Sequence, residues 1–240
     1  MIGYLLLQAV ENEVPGRPVA SLITQTLVSP EDPGFAHPTK FVGPTYPEDE
    51  ARALAERAGW TVAPDGPAWR RVVASPEPAG IVELGIVASL LGSGAIVVCA
   101  GGGGIPVCRA EAGTLRGVEA VVDKDLTASL LARDLDADAL VLLTDVAAVE
   151  LDFGTPSARA IRRADPATLR SHRFPPGSMG PKVEAVCRFA EATGRPAMIG
   201  RLTDAAALVE GTSGTYVRTG VEPVIEPPRA LAGRPGPRGE

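Results

Sequence analysis

Lysine is scarce in this chain: of 23 basic residues only Lys40, Lys124 and Lys182 are lysines, and the rest are arginine. Histidine is scarcer still, with only His37 and His172. The three cysteines, Cys99, Cys108 and Cys187, form no C-x-x-C pair, so no zinc or haem constellation is available. They read as packed, reduced thiols of a cytosolic protein. Basic charge is also in deficit. A net charge of −6 and a pI near 5.1 offer no surface to a nucleic-acid backbone or an anionic membrane, so neither partner is expected. The opening run from Met1 to Leu7 lacks a basic leader region and is followed by Glu11 and Glu13, which argues against a signal peptide or a membrane span. We read it as the buried face of a helix.

What is present is a chain of 240 residues, 45% hydrophobic and 22% charged, enough for one large globular unit with room for a subdomain. Residues 1–12 pattern as an amphipathic helix and Val19–Val28 as a strand. Residues 29–78 carry nine prolines, leaving space for one short helix near Glu48–Ala58 and one short strand around Arg71–Val73. That segment reads as an inserted, protruding lobe.

From Ile81 a regular alternation begins. A helix with Ile81, Leu84, Ala88 and Leu91 on one face precedes the apolar strand Ala95–Ala100; helix Leu126–Leu135 precedes strand Leu140–Leu143. Helix Lys182–Ala192 precedes strand Pro196–Ile199, and a last helix, Asp204–Val209, precedes Gly214–Val217. Helices alternating with short, fully apolar strands predict an α/β protein, a three-layer α/β/α sandwich with a mainly parallel sheet. The domain reading is a main α/β/α domain from 1–28 and 79–219, the lobe at 29–78, and a flexible tail over 220–240. The chain opens inside a helix with no strand or phosphate-binding turn before it, and we expect a further N-terminal portion.

Four loops could carry chemistry. Gly101-Gly102-Gly103-Gly104 follows a buried strand, where glycines let backbone N–H groups approach an anion; the extended Ile105-Pro106-Val107 that follows disfavours a dinucleotide turn. Asp123-Lys124-Asp125 ends at a helix start, which places Asp125 near the N-cap and Lys124 at the same mouth; a capping Asp beside a solvated Lys would look the same. Thr144-Asp145-Val146 lies at the carboxyl end of an apolar strand, where open parallel sheets bind ligands, although an ordinary strand-end turn fits as well. Gly177-Ser178-Met179-Gly180-Pro181-Lys182 enters a helix with a lysine near its positive end, as a common Gly-Pro helix entry also would. Lysine is a compact point charge on a thin stem, suited to reaching a phosphate in a narrow space. Two of the three lysines lie at strand-to-helix edges.

In order and spacing, the stretches Thr24–Pro33 (TQTLVSPEDP), Pro38–Pro44 (PTKFVGP), Arg70–Pro78 (RRVVASPEP), GGGGIPV, GVEAVVDKD, LTDV and GSMGPKVEA resemble the carbamate kinases of the amino-acid kinase superfamily. The resemblance runs from about Met1 to Val217. It implies reversible phosphoryl transfer between ATP and carbamate, with ATP/ADP and Mg²⁺ as cofactors, in a cytoplasmic homodimer of arginine metabolism. It implies roles for Lys124 and Lys182 on the transferring phosphoryl and nucleotide phosphates and for Lys40 closing over the substrate. Asp125 would orient those ammonium groups or a Mg²⁺–water shell. Gly101, Gly102, Gly103, Thr144, Asp145, Val146, Gly177, Ser178, Met179 and Gly180 would contact the nucleotide. The sequence departs from the family at Phe41, where proline is usual, and at Ala74 and Glu77. It also lacks the family's first strand, G-G-N loop and G-N-G-P turn. Two alternatives stay open: an inactive nucleotide-binding remnant, and an amino-acid kinase with another substrate.

Overall fold

The computed structural model describes residues 2–110 and 113–228, and the chain folds as two compact units that divide after Ala137. The first unit runs α1 (Ile2–Glu13), β1 (Val19–Ser21), β2 (Gln25–Leu27), β3 (Lys40–Tyr46), α2 (Glu48–Ala58), β4 (Thr61–Asp65) and β5 (Ala68–Val73). It continues with β6 (Gly80–Ile81), α3 (Leu84–Gly92), β7 (Ile96–Val98), β8 (Ile105–Arg109), β9 (Leu115–Gly117) and α4 (Lys124–Asp134).

The predicted strand Val19–Val28 is two strands that part company at Leu22–Thr24. β1 pairs with β7 in parallel, whereas β2 joins a four-stranded sheet ordered β6-β2-β8-β9, parallel only at β2/β8. The Thr24 hydroxyl at the break accepts the Ala100 N–H at 2.9 Å, which ties the split strand to the start of the glycine loop.

The proline-rich segment holds more strand than its sequence suggests. β3, β5 and β4 form an antiparallel sheet with β5 in the centre, and α2 packs on it. Both prolines inside these strands sit on the outer ones: Pro64 in β4, and Pro44 in β3 where the register shifts between Val42 and Thr45. Edge positions and bulges are where a missing N–H does no damage. With little apolar volume to bury beyond Ala51 and Val72, this sheet is dressed by arginine planes on aromatic rings. Arg52 lies 4.8 Å from the Trp69 centroid and Arg71 4.8 Å from that of Trp60.

Two helix predictions need correction. No residue of α1 is buried, and Tyr4 is 62% exposed, so the expected buried face is an exposed apolar one. α3 begins at Leu84 because Gly80–Ile81 is a strand, and its buried residue is Val87, while Ala88 and Leu91 are exposed. A helix apolar on every side gives no periodicity from which to read a face.

The second unit runs β10 (Leu140–Thr144), β11 (Val149–Leu151), β12 (Arg159–Ala164), α5 (Pro166–Arg170), α6 (Met179–Thr193), β13 (Ala197–Arg201), α7 (Ala205–Val209), β14 (Thr215–Val217) and β15 (Val224–Ile225). Its mixed sheet has the order β10-β13-β14-β12-β11, with β15 also on β12; β10/β13 and β12/β14 are parallel. α6 supplies Val183, Val186, Cys187 and Ala190, one helical face, together with Phe189, all buried. It packs on β13 and β10. Burial pushes the Cys187 thiol up to about 12, which leaves it an inert packing group, and all three cysteines are free. Within the tail expected from residue 220, β15 pairs antiparallel with β12; residues 229–240 lie outside the described residues. No helix among the described residues is long and apolar enough to cross a membrane.

Candidate active site

In the first unit the predicted residues converge on the start of α4. Asp123 is its N-cap, with one carboxylate oxygen accepting the Asp125 and Leu126 N–H groups at 2.8 and 3.2 Å. Its other oxygen accepts from Lys40 Nζ at 2.5 Å. Lys124, the first helical residue, donates to Asp125 Oδ1 at 3.0 Å. The D-K-D run therefore holds two lysines from two carboxylates. Asp125 is buried while the Lys124 side chain stays 57% exposed.

The glycine loop sits on the same helix start. The Gly103 carbonyl accepts the Thr26 hydroxyl at 2.8 Å and the Thr127 hydroxyl at 3.1 Å, and both threonines are fully buried. The Gly101 and Gly104 amides are taken by the Cys99 and Ala100 carbonyls. Gly101 and Gly102 have open space where a side chain would be. Exposed backbone with room beside it, next to a helix N-terminus and an exposed lysine, suits an anionic ligand.

The sequence places Asp125 near the N-cap and gives Asp123 no role; in the structure the N-cap is Asp123, and Asp125 lies in the first turn of α4. Burial alone would raise its carboxyl; the Lys40 ammonium and the two backbone donors outweigh that and hold it below the ordinary carboxylate range. A depressed folded-state value means stability that is present above roughly pH 4 and lost as pH falls through the folded value. Asp123→Asn should therefore lie below the parent in stability at neutral pH and converge with it in acid. Urea unfolding at pH 7 and pH 3 checks this: an unchanged gap at the two pH values would refute it.

In the second unit, Thr144, Asp145 and Val146 at the end of β10 and Gly177, Ser178, Met179 and Lys182 around the start of α6 line one cavity of about 410 Å³. Gly180 stays out of the lining. It closes the loop beneath, donating its N–H to the Pro175 carbonyl at 2.9 Å. The sequence reading missed Phe153 and Phe174, which supply aromatic walls, and Glu150. In a chain with only five phenylalanines, two beside glycine- and proline-rich turns were the available signal.

A strand-end cavity with an aromatic wall and a lysine, and a separate glycine loop with two lysines on a helix start, are features of a phosphotransferase of α/β type. The amino acid kinase family model matches residues 54–201. The carbamate kinase of Rhizobium meliloti strain 1021 is 50% identical over 220 residues, 90% of this chain and 68% of the relative. That of Haemophilus influenzae is 47% identical over 218 residues, 90% of this chain and 70% of the relative. Among solved structures, a carbamate kinase from Giardia lamblia bound to AMP-PNP superposes with a TM-score of 0.79 at 38% identity, covering 91% of this chain and 72% of that one. The chain belongs to the amino acid kinase family, and within it to the carbamate kinases.

Proposed function

We propose that this protein transfers a phosphoryl group reversibly between ATP and carbamate. The observation that carries the reading is the pair of lysines held on Asp123 and Asp125 at the start of α4, beside the glycine loop. In the direction of ATP synthesis, the bond between phosphorus and the carbamoyl oxygen breaks and one to the terminal oxygen of ADP forms. The electron pair of the broken bond stays on carbamate as its carboxylate. No proton need move, so catalysis requires no general base and rests on positioning and charge.

Lys124, steered by Asp125, is suited to the equatorial oxygens of the transferring group, and Lys40 to the substrate side. Exposed glycine backbone at Gly101 and Gly102 supports a further hold on the phosphoryl, with Gly103 anchoring the loop beneath them. Thr144, Asp145, Val146 and the Gly177–Met179 loop would wall the nucleotide, with Lys182 on its phosphates. No cluster of three or more ligating side chains for a metal occurs among the described residues. Mg²⁺ therefore fits as an ion carried on the nucleotide's own phosphate oxygens rather than in a protein cage. Bound there, it would neutralise charge on the phosphates. The free cysteines support a cytoplasmic setting, and the exposed Ile2, Tyr4, Leu5 and Leu6 support a homodimer.

Incubating the protein with carbamoyl phosphate, ADP and Mg²⁺ and measuring ATP tests the reading. ATP formed in proportion to enzyme, and absent when acetyl phosphate replaces carbamoyl phosphate, is the expected result. Nucleotide binding without transfer would favour the inactive remnant, and transfer from acetyl phosphate another substrate.

A further inference from the structure

Resting on the proposed function for its kinetic part only, we propose that Asp123 is a positioning residue that docks the antiparallel lobe through Lys40. Two ties join the lobe's root to the segment that leads into α4. One is the backbone bond from the Val121 N–H to the Ala74 carbonyl, 2.9 Å, immediately beyond β5. The other is the Lys40–Asp123 ion pair, reached from the first residue of β3, the strand paired with the end of β5 through Lys40 and Val73. The backbone tie is indifferent to charge. The ion pair is not, because it exists only while Asp123 carries its carboxylate charge and Lys40 its ammonium.

Asp123 is suited to this by division of labour between its oxygens. One is committed to capping, with two backbone N–H donors, and the other is committed to Lys40. The pair is sheltered, with Lys40 33% and Asp123 9% exposed at the side chain, so solvent does not screen it as it does a surface pair. Lys40 thereby has a defined resting place one residue from Lys124. The lobe, the substrate-side lysine and the helix N-terminus are registered on one side chain, and substrate binding acts on that register.

The test separates the two duties. Asparagine caps a helix about as well as aspartate, so Asp123→Asn keeps the cap and removes only the charge that holds Lys40. Amide hydrogen exchange is followed in β3 and β5 for the parent, Asp123→Asn, Lys40→Gln and the double variant. Each single change should speed exchange there by roughly tenfold, with α4 unaffected, and the double variant should be no faster than either single. Unchanged lobe exchange in Asp123→Asn, or effects that multiply in the double variant, would overturn the proposal. Neither readout needs activity, so a failed transfer assay leaves this result standing. Where transfer is measurable, Asp123→Asn should raise the KM for carbamoyl phosphate several-fold with the KM for ADP unchanged. A loss in kcat alone would mark Asp123 as merely structural.

Discussion

Lys124→Arg should lower phosphoryl transfer by roughly 10²–10³-fold while leaving the fold and nucleotide binding in place, the size seen when one preorganised charge on a transition state is lost. Charge is conserved in this change, so a fold held by the Lys124–Asp125 pair has no reason to weaken. Shape is not conserved. The guanidinium is a broad planar fork, and seated on Asp125 it would present its donors at a different distance and angle from those of the ammonium. A chain that otherwise uses arginine for nearly every positive charge has kept lysine at this position. The decisive comparison is kcat alongside ADP affinity and thermal midpoint. Activity within threefold of the parent would remove Lys124 from the phosphoryl site, and loss of all three together would make it a structural residue.

Gly103→Ala should cost on the order of 3 kcal/mol of stability, lowering the thermal midpoint by about 6–12 °C. A Cβ there would lie 1.9 Å from the Val122 carbonyl oxygen and 2.6 Å from its carbon, and both are backbone atoms without a rotamer to move. Nor can the glycine retreat cheaply. Its carbonyl is the acceptor for two buried hydroxyls, Thr26 and Thr127, and moving it leaves them unpaired. Gly101→Ala provides the contrast. Its φ of +59° strains an alanine by only about 1–2 kcal/mol, and nothing stands where the methyl would go. Differential scanning calorimetry of both variants measures the difference. Equal shifts would mean that conformational preference, rather than contact with Val122, governs the loop.

The alternating helices and strands from residue 81 onward were legible because buried strands leave short apolar runs and amphipathic helices leave a period. Residues 124–144 and 179–201 follow that pattern closely. The lobe was not legible as a sheet: prolines read as breakers, and only pairing reveals that Pro44 and Pro64 occupy edges. β11, β12 and α5 also went unread, since Arg159, Arg162 and Arg163 mask the strand pattern of β12. Among candidate site residues, glycine and lysine stood out by type and rarity. Asp123 did not, because Asp125 suits the capping position in sequence just as well, and the Lys40 that holds Asp123's second oxygen lies 83 residues away. Phe153 and Phe174 were invisible for a similar reason: a wall is a property of the cavity, and 20 residues of chain separate its two aromatic members.

The lobe's own pairings also bear on the order in which this chain assembles. β4 and β5 meet across a two-residue turn, and β3 finds β5 with only α2 and β4 between them. By contrast, β1 must wait for β7 and β2 for β8, each more than 70 residues downstream. Short loops close sooner and at less entropic cost. During synthesis, therefore, the lobe can take its native register while the strands that flank it in sequence still lack their partners, and it arrives preformed at the sheet that will hold it.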